Sequence, residues 1–354
     1  MTNVLIALVV LLTIAAMVQL VRVNELLSEI TNKDTNEVTD EDNNQNGILF
    51  IIIGFGFLAF VVWQMITWDH LLLPPASSVH GAEIDGLMKV SMTLILIVFF
   101  ALTPMLFYFD YKYRGKKENT AYFFAHNNKL EIAWTVIPTI VLTALIIYGL
   151  RTWDRAMNPD VSEATIIEVY SKQFDWTARY SGADNILGDA NFRLVEGRNT
   201  LGVDLNDDKA ADDIVVREVH LPVNKPVLLK FRSRDVIHSA FLPHFRVQMN
   251  CVPGMITEFS FTPTITTDEM RMNSDVVDKV NRINKIRYEN SKILTANGEE
   301  ALEPYQFDYL LLCAKICGAS HYNMQMKIVC LLYTYDAADD SLRVDLGGRR
   351  IIKK

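Results

Sequence analysis

Cysteine and histidine are scarce in this chain, with four and seven copies among 354 residues, so composition alone does not predict a cluster of both. Charge is nearly missing from four stretches, at 3–21, 47–67, 86–109 and 132–150, although charged residues make up 21% of the chain. No internal repeat is present, which excludes a repeat architecture. These absences direct attention to the apolar stretches and to the one place where cysteine and histidine occur together.

Each apolar stretch is close to the roughly 20 residues that a helix needs to cross the core of a bilayer. The sequence therefore predicts a transmembrane helix at 1–22, a polar cytoplasmic linker without fixed structure at 23–46, and three further transmembrane helices within 47–151. For the first stretch, an uncleaved helix is favoured over a secretory signal peptide, because a basic n-region and a convincing cleavage site are both absent.

The loops between the apolar stretches predict their orientation. Five basic side chains lie within 110–130, at Lys112, Arg114, Lys116, Lys117 and Lys129. The loop at 68–85 holds no lysine or arginine. Because basic loops remain in the cytoplasm, everything after residue 150 is expected on the outer side, which in a bacterial inner membrane is the periplasm.

The chain changes character after the last apolar stretch, and residues 152–329 are predicted to form an all-β domain. Short runs rich in valine, isoleucine, phenylalanine and threonine are broken by turn residues, and apolar and polar side chains alternate through 227–232. Two insertions interrupt the pattern. Residues 181–213 are rich in glycine and aspartate, and 267–300 are polar and partly helix-prone.

One short stretch, CAKICGASHYNM, contains Cys313, Cys317, His321 and Met324. A disulfide between the two cysteines is one interpretation, since an outer compartment is oxidising. A metal site is the other, because four sulfur and nitrogen donors can converge on one loop. Thiolate, imidazole and thioether together favour copper over zinc. A second imidazole is available at His238, after a predicted strand.

Four motifs in this order, NKLEIAWTVIPTI, DVIHSAFLPHF, CVPG and CAKICGASHYNM, resemble subunit II of the cytochrome c oxidases of the haem–copper family. The resemblance covers about residues 80–329. It implies a membrane-anchored α plus all-β protein, in which N-terminal transmembrane helices precede a cupredoxin-like β-sandwich. That domain would carry a dinuclear copper A centre outside the membrane.

The resemblance also implies a ligand set. The two copper ions would be held by bridging Cys313 and Cys317, by His238 and His321, and weakly by Met324 and the backbone carbonyl of Lys315. Asp235 is not itself expected to bind copper, but to orient the copper loop through a hydrogen bond.

The function implied is the electron-input subunit of a proton-pumping terminal oxidase. The chain would accept electrons from cytochrome c and pass them to haem in subunit I, where oxygen is reduced to water, and it would hold no oxygen site itself. Its partners would be subunit I, other oxidase subunits, cytochrome c and the membrane, with no nucleic acid. Trp176 and Phe174 are candidates for electron input, although Trp176 is also a candidate core residue. Glu131 is a candidate for proton uptake or an ordinary flanking charge.

Two features depart from the family pattern. The residue between the cysteines is commonly a glutamate that reaches magnesium, whereas Lys315 carries an ammonium group that cannot bind a cation, so magnesium is doubtful. The tail at 330–354 resembles translated sequencing-adapter sequence and is expected to be non-native, which leaves Cys330 without a functional role.

Two other functions compete with the electron-input role. A metal-free structural subunit, as in quinol oxidases, would lack ligand residues that are present here. A membrane-tethered copper carrier would need neither Glu131 nor a four-helix anchor.

Overall fold

The computed structural model describes residues 2–30 and 37–332. Four long helices come first: α1 (Thr2–Ile30), α2 (Asp40–Trp68), α3 (Val79–Lys112) and α4 (Asn128–Met157). They contain the four apolar stretches, and each is long and apolar enough to cross a membrane, the first of them over Leu8–Ile30.

The segment between α1 and α2 differs from the predicted unstructured linker at 23–46. Helix α1 continues to Ile30 and α2 begins at Asp40, while 31–36 lie outside the described residues. The start of α2 is fixed by reciprocal hydrogen bonds. The Thr39 hydroxyl and N–H donate to the Asp42 carboxylate at 2.6 and 2.9 Å, and the Asp42 N–H donates to the Thr39 hydroxyl at 3.2 Å. Such a capping box stabilises a helix start even in a polar segment.

The chain divides into two compact units, the first comprising Met1–Thr67 and Ile95–Lys129. Within it, α2 lies against the second part of α3. A Cβ atom on Gly54 would lie 2.4 Å from the Phe107 ring, so only glycine permits this approach. Small residues allow close packing between helices in a membrane, where no hydrophobic effect drives association.

The second unit comprises Trp68–Leu94 and Leu130–Lys354 and contains the β domain. Within the described residues its strands are β1 (Thr165–Lys172), β2 (Asp175–Tyr180), β3 (Ile214–Val216), β4 (Val219–Pro222), β5 (Val227–Ser233), β6 (His238–Leu242), β7 (Val247–Cys251), β8 (Thr257–Phe261), β9 (Tyr309–Cys313) and β10 (Gln325–Leu331). They form two five-stranded sheets, in the orders β3-β2-β1-β5-β8 and β4-β10-β9-β6-β7. The predicted β-sandwich is confirmed, and its two sheets are consistent with a cupredoxin-like fold.

The core lies between the two sheets. Val227, Leu229 and Phe231 of β5 are at most 3% exposed and pack in one cluster with apolar residues of the other sheet. Lys230 and Arg232 alternate with them on the other face, as the sequence predicts, with side chains that are 32% and 13% exposed. Strand alternation therefore identifies the face of β5 that builds the core.

Each insertion has structure of its own. Residues 181–213 form turns and two short 3₁₀ helices, and Leu201, Val203 and Ala210 pack with Tyr170 in a small separate core. Residues 267–300 contain α5 (Thr267–Arg271) and α6 (Ser274–Ala296).

Both boundaries of the β domain differ from the expected 152 and 329. Helix α4 continues to Met157, and β10 continues to Leu331. Cys330 is 1% exposed and is paired with Leu221 in the ladder between β10 and β4, so residues 330 and 331 belong to the sheet. The remainder of the suspected tail, 333–354, lies outside the described residues.

The start of α3 is attached to the connection between β6 and β7. The Arg246 guanidinium donates to both carboxylate oxygens of Asp85 at 2.9 Å and to the Pro74 carbonyl at 2.5 Å. The Ser78 hydroxyl donates to the Phe245 carbonyl at 2.7 Å. These contacts link a membrane helix to the strand that begins at His238.

His244 belongs to the same attachment and makes the stability of the protein depend on pH. Its Nδ1 lies 3.0 Å from the Pro75 carbonyl, and its ring lies against the rings of Phe307 and Tyr309. Burial lowers the pKa of His244 from 6.5 to about 4. The neutral ring therefore stabilises the folded state fully above pH 6.5.

As the pH falls from 6.5 towards 4, His244 becomes protonated in the unfolded chain but stays neutral in the folded chain. We expect the free energy of unfolding to fall by up to about 3 kcal/mol over this range. Denaturant unfolding of the full chain in detergent measures it. His244→Gln keeps a donor for Pro75 but does not titrate, so its stability should lose less over the same range. An equal loss in both proteins would contradict the assignment.

Candidate metal centre

Two loops at one end of the second sheet bring the sulfur and imidazole groups together. His238 is the first residue of β6, and Cys313 is the last residue of β9. These strands are antiparallel neighbours, with Ala240 paired to Cys313, so the start of one meets the end of the other. The loop from β9 to β10 then turns back over this end. It contains Gly318 with φ +143°, a conformation that favours glycine.

The donor atoms of this loop converge around the two thiols. Around Cys313 Sγ lie Lys315 O at 3.2 Å, His238 Nδ1 at 3.8 Å and Cys317 Sγ at 4.0 Å. Around Cys317 Sγ lie His321 Nδ1 at 3.6 Å and Met324 Sδ at 3.9 Å. The two sulfur atoms are too far apart for a disulfide, which needs about 2.05 Å, and both thiols are free. The arrangement is a pair of thiols with one imidazole beside each.

Most of these side chains are shielded from water. His238 is fully buried, Met324 is 1% exposed, and Cys313 and Cys317 are 9% and 6% exposed. His321 is half-buried. A buried set of soft donors suits copper, because sulfur and imidazole ligands select it and a nearby thioether is typical of copper electron-transfer sites.

The environment of the thiols determines whether metal binding releases protons. Burial, together with the neighbouring Cys313, raises the pKa of Cys317 to about 11. Without a metal this thiol is therefore protonated at neutral pH. Because a thiolate is the ligand, binding of a metal must release protons.

Asp235 lies beside His238 and hydrogen-bonds its ring. Its Oδ1 is 2.9 Å from His238 Nε2, which leaves Nδ1 of that ring facing Cys313. Partial burial alone would raise the pKa of Asp235, but hydrogen bonds from the Gln173 and Val236 N–H groups and from His238 lower it. An ionised carboxylate in this position fixes the orientation of the ring.

The two aromatic candidates occupy different environments. Trp176 is 1% exposed, its ring centroid lies 6.1 Å from that of His238, and its Nε1 donates to the Met324 carbonyl at 3.4 Å. Phe174 is only partly buried and lies over Gly318. Trp176 is thus a core residue in contact with His238 and the Met324 backbone, whereas Phe174 reaches the surface.

Lys315 joins the donor cluster only through its carbonyl, which faces Cys313, while its side chain is exposed. Glu131 does not join the cluster. It lies in the first turn of α4, while the β domain follows the last turn of that helix. The structure therefore does not bring Glu131 to the thiols.

Sequence reasoning missed the role of Gln173, which directly precedes the electron-input candidate Phe174. Its side-chain Nε2 donates to the Cys317 carbonyl at 2.5 Å, and its N–H donates to Asp235 Oδ2 at 2.7 Å. Neither contact has a local sequence signal, because the partners lie 144 and 62 residues away.

Comparison with known proteins agrees with this geometry. The family model for the cytochrome c oxidase subunit II transmembrane domain matches residues 62–152, and the model for its periplasmic domain matches 165–269. Together they cover more than half of the chain.

Two curated relatives match most of their length. The alternative cytochrome c oxidase subunit 2 of Bradyrhizobium diazoefficiens is 26% identical, over 80% of this chain and 86% of its own. Cytochrome c oxidase subunit 2 of a Synechocystis species is 23% identical, over 83% of this chain and 81% of its own.

A solved structure, the periplasmic domain of subunit II of cytochrome oxidase from Bradyrhizobium japonicum, is 20% identical. It covers 52% of this chain and 96% of its own, with a TM-score of 0.30, which is too low to support an argument. The family models and the curated relatives carry the assignment, and the copper-type donor cluster agrees with a family that bears copper A. The chain belongs to the cytochrome c oxidase subunit II family, with membrane-anchoring helices and a periplasmic domain, and is part of an oxidase complex.

Proposed function

We propose that the chain is the electron-input subunit of a proton-pumping terminal oxidase in a bacterial inner membrane. It accepts electrons from cytochrome c at a centre of two copper ions and passes them to haem in subunit I, where oxygen is reduced to water. The convergence of two buried thiols with one imidazole beside each supports this proposal most strongly.

Each residue of the donor set has a proposed task. Cys313 and Cys317 would hold the two ions between them, and His238 and His321 would each supply one imidazole ligand. Met324 Sδ and the Lys315 carbonyl would complete the set as weak ligands. When bound, the copper pair would supply a one-electron relay.

The protein around the donors suits a relay rather than catalysis. Asp235 and Trp176 hold His238 and the Met324 segment in place, and the burial of the thiols excludes water. Protein groups supply every ligand, whereas catalytic metal sites keep a position open for substrate. Oxygen chemistry is therefore assigned to subunit I.

Copper titration of the full chain in detergent tests the proposal. Two ions should bind per chain, and one unpaired electron shared by two equivalent copper nuclei should give a seven-line paramagnetic spectrum. A single ion with a four-line spectrum would overturn the dinuclear centre.

Phe174 is the proposed contact for the electron donor, because it is partly exposed and lies over Gly318 of the copper loop. Where an aromatic side chain is a hot spot of an interface, its truncation costs more than about 1 kcal/mol. We expect Phe174→Ala to lower the second-order rate of reduction by cytochrome c about tenfold, as measured by stopped-flow spectroscopy, with the copper spectrum unchanged.

The matched control is Phe192→Ala, which removes a phenylalanine that is 74% exposed on the insertion 181–213. This variant should be reduced at the wild-type rate. Equal rates for both variants and the wild type would exclude Phe174 as the input site.

Two further assignments complete the proposal. Glu131, in the first turn of α4, is assigned to proton uptake at the cytoplasmic end of that helix. Magnesium is not expected at residue 315, because the lysine ammonium cannot replace a carboxylate ligand.

A further inference from the structure

Gln173 connects the two loops that carry the proposed copper ligands. Its Nε2 donates to the backbone carbonyl of Cys317, and its N–H donates to Asp235 Oδ2. Asp235 in turn holds His238 through its other oxygen at 2.9 Å. A continuous chain of hydrogen bonds therefore runs from the backbone of one thiol ligand, through Gln173 and Asp235, to the imidazole beside the other thiol.

The segment that contains Gln173 and Phe174 also packs closely against the loop that contains Cys317 and Gly318. A Cβ atom on Gly318 would lie 2.7 Å from Phe174 Cζ and 3.0 Å from Gln173 Nε2. The residue after Cys317 therefore lies directly against the segment that carries Gln173.

Strand pairing does not restrain the two thiols equally. Cys313 is the last residue of β9, is paired with Ala240, and its N–H donates to the Met324 carbonyl at 3.2 Å. Cys317 lies four residues beyond the strand, in a loop. Its carbonyl accepts a hydrogen bond from Gln173 at 2.5 Å. Cys317 is thus held by a side chain from the turn between β1 and β2, two strands of the other sheet.

We propose that Gln173 is a positioning residue that sets the separation of Cys317 from Cys313 and so keeps the two copper sites equivalent. The inference rests on the proposed dinuclear centre. Two copper ions share one electron equally only if the thiolate and imidazole ligands around each of them are arranged alike. Loss of the Gln173 side-chain contact leaves every ligand in place but allows the Cys317 half of the site to shift.

Gln173→Met tests the inference, because methionine has nearly the same length and no donor, and the backbone N–H to Asp235 is retained. The full chain is loaded with copper in detergent. We expect two ions per chain, a spectrum changed from seven lines towards four, a shifted reduction potential, and release of copper to a chelator increased about 10–100-fold, the usual effect of losing a group that orients a ligand. Gln173→Asn, which keeps an amide donor one methylene shorter, should restore part of the wild-type spectrum.

Gln248→Met is the matched control, since Gln248 is exposed on β7, and it should behave as the wild type. Thermal unfolding of the metal-free proteins separates positioning from folding. A Gln173→Met protein with the wild-type spectrum, potential and copper release would overturn the inference. The inference would also be overturned if the only effect of Gln173→Met were a lower unfolding temperature of the metal-free protein. A wild-type chain that binds one copper ion would overturn both the proposed function and this inference. If the wild type binds two ions and gives the seven-line spectrum, but Gln173→Met does the same, only the inference is overturned.

Discussion

Cys313→Ser is expected to abolish the dinuclear copper spectrum completely. The Cys313 thiol lies within 4.0 Å of Cys317 Sγ, His238 Nδ1 and the Lys315 carbonyl, so it connects both halves of the site. A serine hydroxyl is a hard donor that remains protonated at neutral pH and cannot bridge two copper ions as a thiolate does. Copper content and the paramagnetic spectrum of the full chain measure the effect.

Cys330→Ala provides a matched control. Cys330 is also buried, at 1% exposed against 9% for Cys313, but it belongs to the ladder between β10 and β4 rather than to the donor cluster. This variant should retain two copper ions and the delocalised spectrum, as should His80→Ala, whose ring lies against Phe259 instead of the thiols. A normal spectrum in Cys313→Ser would contradict the ligand assignment.

Trp176→Ala is expected to destabilise the β domain and the copper site together. Trp176 is among the largest fully buried side chains, and it contacts both the His238 ring and the Met324 carbonyl. Replacement of a buried tryptophan by alanine costs about 3–5 kcal/mol. For a domain of this size, that lowers the unfolding temperature of the metal-free protein by roughly 10 °C. Scanning calorimetry in detergent measures the change.

Trp153→Ala is the comparison for this effect, because Trp153 on α4 is 64% exposed. Its removal should leave the unfolding temperature of the β domain within about 2 °C of the wild type. If Trp176→Ala unfolds at the wild-type temperature, the indole does not hold the copper-binding end of the sandwich, and the assignment of Trp176 as a core residue is wrong.

Much of the fold is predictable because its signals are local. The apolar stretches predict the helices, and alternation in 227–232 predicts the buried face of β5. The start of α2 was also readable, since Thr39 and Asp42 have capping-box spacing, but the polar composition of 23–46 favoured a linker instead. Local composition and local capping conflicted there, and the capping interaction determined the structure.

In the candidate site too, some residues are predictable from local sequence and others are not. Cys313, Cys317, His321 and Met324 lie within twelve residues of the chain, so residue type and spacing are enough to predict a soft-metal loop. Asp235 is three residues from His238, a separation that sequence can also assess. The pairing of His238 with this loop came from family resemblance, because 75 residues separate it from Cys313.

The sequence by itself determined the membrane-helix candidates, the β character of the second part and the identity of the soft donors, because each depends on residues close together in the chain. Only the tertiary structure decided which aromatic is buried and which reaches the surface, that the His244 ring is buried against Phe307 and Tyr309, and that Gln173 contacts both Asp235 and the Cys317 backbone. These properties depend on strand order and on burial. Both arise when segments distant in sequence become neighbours, and no local pattern records that proximity.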